Sequence, residues 1–142
     1  MPADQMALMW GESATAFTTL LGEGFRRAAM TSWLEGDTDF RVRLIQYGPA
    51  DTRSAVAAVQ DAADCGHFTD DPCTSRAIPG TVDGVAYVTR RSETYHESKK
   101  HFYRGLAVAR RGNVEMRIDV HSPRKVDLDR VLDLAKRQWE RL

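Results

Sequence analysis

Two cysteines, four histidines and a scatter of arginines and tyrosines are the residues of this chain whose chemistry could exceed packing and solvation. Cys65 and Cys73 stand at the two ends of the polar stretch CGHFTDDPCTS, directly after an alanine-rich segment. Joined as a disulfide they would close a loop of nine residues. Such a loop constrains the unfolded chain by roughly 2.5 kcal/mol. Bonds of this kind persist in oxidising compartments, whereas cytosolic thiols are kept reduced. Two other readings stay open at this point: a pair of unrelated free thiols, or a metal centre in which Cys65, His67 and Cys73 are completed by His96, His101 or His121. The gaps between Cys65, His67 and Cys73 do not follow the paired Cys-x2–4-Cys knuckle of structural zinc sites. Pairing of Cys65 with Cys73 is therefore the preferred expectation, with no metal and no cofactor.

Catalytic patterns are missing. Pro72-Cys73 has neither the second cysteine nor the upstream His-x-Glu of a zinc deaminase. GEGFRR lacks the Lys-Ser/Thr ending of a phosphate-binding loop, and no GxGxxG follows a strand. A histidine acting as general base needs a nucleophile or substrate within hydrogen-bond reach. His96 and His101 sit in or beside the polar run SETYHESKKH, His67 in another polar loop, and His121 at a strand end. No catalytic residue is assigned, and the chain is expected not to be an enzyme. Tyr87, Tyr95 and Tyr103 interleave with Arg90, Arg91, Lys99, Lys100 and Arg104 around that polar run. Recognition usually resides in loops carried by a rigid sheet. Arg90, Arg91, Tyr95, Lys99, Lys100 and Tyr103 are accordingly the candidate ligand contacts, and 66–77 and 92–101 the candidate contact loops. Aromatic and basic groups so mixed also suit single-stranded nucleic acid. A formal net charge of zero argues against that partner.

The elements that must position these groups follow from periodicity. With 142 residues, 42% of them hydrophobic, the chain can close one core, and a single α+β domain over 1–142 is expected. No run approaches the roughly 18 apolar residues that span a bilayer, and MPADQMALMW lacks the basic start and apolar stretch of a signal peptide. Net charge is −6 over residues 1–75 and +6 over 76–142, which suggests complementary faces or internal pairing, and as a minor alternative a basic surface aimed at an anionic partner. Met6, Met9, Trp10, Phe17, Leu20 and Leu21 share one helical face, from a first turn at Pro2 and Asp4 to Gly22–Gly24, with Gly11 a weak point. A hairpin follows, Phe25–Leu34 and Phe40–Tyr47 about Glu35-Gly36-Asp37-Thr38. Pro49 breaks the strand, Asp51 or Thr52 caps, and Ala55, Val56, Ala58, Val59, Ala62 and Ala63 give a second helix ending at Gly66 whose small side chains permit close approach to a sheet.

Cys65 to Ser75 reads as irregular loop. Asp83-Gly84 signals a hairpin turn before Val85–Thr89, SETYHESKKH a long loop, and Arg111-Gly112-Asn113 the turn between Phe102–Arg110 and Val114–Val120. In that last strand Val114, Met116, Ile118 and Val120 alternate with Glu115, Arg117 and Asp119, so a slip of one residue would bury three charges. After Ser122-Pro123, Asp127 opens a helix with the stripe Leu128, Val131, Leu132, Ala135, Trp139 and Leu142. Trp10, Trp33 and Trp139 are expected to pack in the core. The order α-β-β-α-β-β-β-β-α implies an antiparallel sheet of five to six strands against about three amphipathic helices.

Several short patterns together resemble a known group. The hairpin FRVRLIQYG, the helix DTRSAVAAVQDAADC, then VDGVAYV, the strand pair GLAVARRGNVEMRIDV and the helix DLDRVLDLAKRQWERL are similar in layout to extracytoplasmic sensor-like domains of actinobacterial lipoproteins and of mycobacterial kinases of the PknH type. The similarity covers residues 25–142. It implies an extracytoplasmic α+β domain that binds an unidentified ligand in a cleft, with an anchor outside this sequence as its only membrane attachment; a cytoplasmic location is the alternative. The expected partner is an unknown small molecule, an envelope polymer or a protein, and not nucleic acid. Two other functions compete: a small metal- or histidine-dependent enzyme, and an oligomerising envelope module pairing through its first helix or an open sheet edge.

Overall fold

The computed structural model describes residues 2, 5, 13–65 and 73–142. Asp4, Met6, Met9, Trp10 and Gly11 of the expected first helix lie outside the described residues, as do His67 and the rest of 66–72. The described part of that helix, α1 (Ser13–Gly22), ends at the Glu23–Gly24 turn as its glycines suggest. β1 (Phe25–Glu35) and β2 (Thr38–Tyr47) form the expected hairpin, and a 3-10 turn at Pro49–Asp51 leads into α2 (Thr52–Ala63). Then come β3 (Cys73–Ala77), β4 (Val85–Thr89), β5 (Glu93–Thr94), β6 (His101–Arg111), β7 (Val114–Ser122) and α3 (Leu128–Trp139). All pairings are antiparallel, in the order β1-β2-β7-β6-β4-β3, with β5 added to the end of β6. Among the described residues the fold is thus α+β with seven strands, six of them in one continuous sheet.

The strand faces explain the layering. Phe40, Val42, Ala86, Val88, Ala107, Ala109, Met116, Ile118 and Val120 point to one side and bury the α3 stripe of Leu128, Val131 and Ala135. Contact is close enough to require Gly105: a Cβ there would stand 2.8 Å from Val126 Cγ1 and 3.0 Å from Val131 Cγ2. Asp127 caps α3, its carboxylate accepting from the Asp129 N–H at 3.0 Å, a contribution of about 1 kcal/mol. Trp139 at its far end donates to the Arg110 carbonyl at 3.3 Å beneath the Arg111 guanidinium, and Trp33 stacks on Phe40. Both are half-buried, as core-facing tryptophans should be.

The opposite side of the sheet is covered only in part. Val59 and Ala62 of α2 pack on Tyr87, Leu106 and Val108. Leu20 of α1 and Ala55 of α2 pack with Phe25, Ala28, Ile45 and Tyr47. Leu21, expected on the apolar face of the first helix, is 56% exposed. Two helices laid on this side change the reading of β7. Glu115, expected on a solvated face, lies under α2 and is only 4% exposed.

Three connections differ from expectation. Cys73–Ala77 is strand, not loop: it pairs with the free side of β4 from Cys73↔Thr89 to Ala77↔Val85, and Thr74–Ala77 are exposed. Its polarity is that of an edge strand, which needs backbone partners but no apolar side chains. The β3–β4 turn is wider than Asp83-Gly84. It runs from the buried Ile78 to Gly84, with Thr81 Oγ1 donating to the Ile78 carbonyl at 2.7 Å and accepting from the Gly84 N–H at 3.1 Å. SETYHESKKH is not a long loop but a hairpin in which Glu93 and Thr94 pair with Phe102 and His101. No helix among the described residues is long and apolar enough to cross a membrane.

Candidate functional site

Register along β2 and β7 sets a ladder of polar side chains on the partly covered face: Ile45 opposite Glu115, Arg43 opposite Arg117, Arg41 opposite Asp119, Asp39 opposite His121. Alternation makes this ladder unavoidable. Once Phe40, Val42 and Leu44 face α3, the intervening Arg41, Arg43 and Ile45 must face the other way. α2 lies across one end of the ladder, and its small residues leave a cleft of about 640 Å³ above the strands. Arg43, Tyr47, Glu115 and Arg117 form the floor, with Ser54 and Ala58 of α2 above them. The size falls within the range of small-molecule pockets.

Electrostatics within the cleft are unusual. Burial pushes the Glu115 carboxyl above the ordinary carboxylate range, against the pull of Arg43 and Arg117. Tyr47 Oη donates to Glu115 Oε2 at 3.4 Å, and the same burial raises the Tyr47 phenol. Arg117 is gripped by Asp119 through Nε–Oδ2 at 3.0 Å and Nη2–Oδ1 at 3.2 Å. Arg41 Nη2 reaches Asp39 at 3.1 Å. The buried Nε of Arg43, in contrast, has no hydrogen-bond partner among the described residues. Burial and then Arg117 depress its ionisation. Nearby on β4, the Tyr87 hydroxyl is also buried without a partner among those residues, its pKa pushed up to about 12 by desolvation.

Glu115 makes stability pH-dependent with a definite sign. Through the window from the ordinary carboxyl pKa up to its raised native value, the folded protein holds a proton that the unfolded chain has lost. Stability therefore falls as pH rises through that window. Glu115→Gln should flatten this fall, as read from urea midpoints between pH 4 and 8. Parallel profiles for the two proteins would remove Glu115 as its source.

At the other end of the ladder, Tyr95, Phe102 and His121 cluster. Tyr95 and Phe102 stack with centroids 4.1 Å apart, Phe102 and His121 are at 5.0 Å, and Tyr95 Oη lies 3.3 Å from His121 Nδ1. With Asp37, Asp39 and Lys100 they border a smaller hollow of about 300 Å³. Burial, then Arg104, holds His121 below the usual histidine pKa.

No family model matches the chain, and no curated protein or solved structure is significantly similar to it. The site therefore rests on its own geometry.

Of the six residues expected to contact ligand, Tyr95 and Lys100 meet at the smaller hollow. Arg90, Arg91 and Lys99 are exposed and do not line it, Arg90 Nε donating to Thr74 Oγ1 at 3.2 Å, and Tyr103 is half-buried in β6. None of the six lines the larger cleft. Cys65 and Cys73 are bonded, with Cα atoms 6.4 Å apart. Both thiolates are consumed, which removes the free-thiol reading and the metal centre built on them. Among the described residues no other group of His, Cys, Asp or Glu is placed to hold a metal ion.

The residues that sequence reasoning passed over are Arg43, Tyr47, Glu115 and Arg117. One signal was present. FRVRLIQY and VEMRIDV each place charges at every second position, and charged faces of neighbouring antiparallel strands must meet.

Proposed function

We propose that this chain is a non-catalytic ligand-binding domain of the extracytoplasmic sensor-like kind, acting by occupancy of the cleft between α2 and the β2–β7 floor. The observation that carries the reading is the cleft itself: a hollow of about 640 Å³ whose polar floor sits on rigid paired strands. A concave, largely apolar space with a few fixed polar groups is the usual form of a small-molecule site, and Ile45, Val56, Ala58 and Ala62 supply apolar walls here. The Cys65–Cys73 bond supports an oxidising compartment. The resemblance over 25–142 to actinobacterial lipoprotein and PknH-type kinase sensor domains supports the same assignment.

Occupancy is testable without knowing the natural ligand. Ala58 is half-buried on the cleft wall, so Ala58→Trp should fill the space and leave the sheet intact. In a thermal-shift screen of small polar metabolites, compounds that stabilise the parent protein should fail to stabilise Ala58→Trp. Hits that stabilise both proteins equally would place binding elsewhere and reject the cleft.

A further inference from the structure

Like charges directly opposite on neighbouring strands work against a sheet. Arg43 and Arg117 are such a pair. Arg117 is offset by its two bonds to Asp119. Arg43 has no equivalent: its Nε is buried and unpartnered among the described residues, and Glu115, which attracts it, is hydrogen-bonded to Tyr47 instead. A buried cationic donor without an acceptor is costly, and most buried polar groups are satisfied. An anion entering the cleft would supply the missing acceptor and relieve the repulsion between the two guanidiniums.

Resting on the reading of the cleft as a binding site, we propose that Arg43 and Arg117 together hold the oxyanion group of a small ligand, a carboxylate, phosphate or sulfate. The planar guanidinium fork matches these groups and binds them through two parallel hydrogen bonds. Arg53 of α2 borders the same space and adds a third cation. Glu23 and Asp61 also border it, and they repel one another enough to help raise the Glu23 carboxyl, behind the larger effect of burial. These two acids, with Glu115 on the floor, oppose a polyanion. The site thus selects a compact ligand of low charge, or one whose far end carries an amine.

Binding is measured by NMR titration with sodium acetate, phosphate and sulfate, and with tripolyphosphate as the polyanion, against sodium chloride at equal ionic strength. At least one of the three compact oxyanions should bind more tightly than chloride, and tripolyphosphate should bind no more tightly than phosphate. Arg43→Gln and Arg117→Gln should each weaken that oxyanion about tenfold or more, the loss of one charge-assisted contact. Arg41→Gln, on the same face but outside the cleft, should leave it unchanged. The proposal is overturned if no oxyanion exceeds chloride, or if binding survives in either Arg43→Gln or Arg117→Gln with cooperative unfolding retained. Tripolyphosphate binding above phosphate would overturn the low-charge selectivity. Ala58→Trp separates the two levels. Neutral or cationic compounds that bind the parent and not Ala58→Trp, with oxyanions inert, would sink the oxyanion assignment and leave the cleft; no compound sensitive to Ala58→Trp would sink both.

Discussion

Leu106→Ala is expected to destabilise the protein by about 2–5 kcal/mol, the range for emptying a fully buried leucine site. Leu106 is 0% exposed and lies on β6 beneath α2, packed with Val59, Ala62, Tyr87 and Val108. Relaxation cannot close the gap easily, because the strands below are fixed by pairing on both sides and α2 is held at its end by the disulfide. Urea unfolding provides the measurement, with the 97% exposed Val82→Ala as a control expected to change little. A loss below about 1 kcal/mol at Leu106 would mean that α2 does not pack on the sheet as described.

Replacing Cys65 and Cys73 together by Ser should cost roughly 2.5 kcal/mol, the loop-closure value for so short a ring. For a chain of this size that corresponds to a drop in Tm of roughly 7–12 °C. The bond ties the residue just beyond α2 to the first residue of edge strand β3. Its removal should therefore loosen the helix and the edge together. Reductant should lower the Tm of the parent protein by a similar amount and leave the double variant unaffected. Identical melting of the parent with and without reductant, together with two titratable thiols, would contradict the bonded state and withdraw the compartment argument.

Much of the fold was legible in the sequence because three signals agreed at each element. For α3, the stripe Leu128, Val131, Ala135, Asp127 as cap and the preceding Pro123 all mark the same helix, and the structure places its ends at Leu128 and Trp139. Gly36 and Gly112 sit at positive φ in the two tight hairpins where turn chemistry asks for glycine. Where a segment's structure depends on a distant neighbour, the signal faded. β3 is exposed and polar, and only pairing with β4 makes it a strand. The cleft was illegible for the same reason. Arg43 and Arg117 are far apart in sequence and look like ordinary outward-facing charges until the register sets them opposite each other and α2 folds over Glu115. Polar loops drew attention to Arg90, Tyr95 and Lys99 because loops commonly carry recognition; here the larger hollow lies on the strands.

A binding role for this domain requires that the space under α2 take a ligand. The most direct measurement is backbone and arginine side-chain NMR of the labelled protein during titration with compounds retained from the thermal screen. The expected result is a set of saturable shifts confined to Arg43, Ser54, Ala58, Glu115, Arg117 and their neighbours. Shifts centred instead on Tyr95, Lys100 and His121, with the α2 signals unmoved, would contradict it and transfer the site to the opposite end of the ladder.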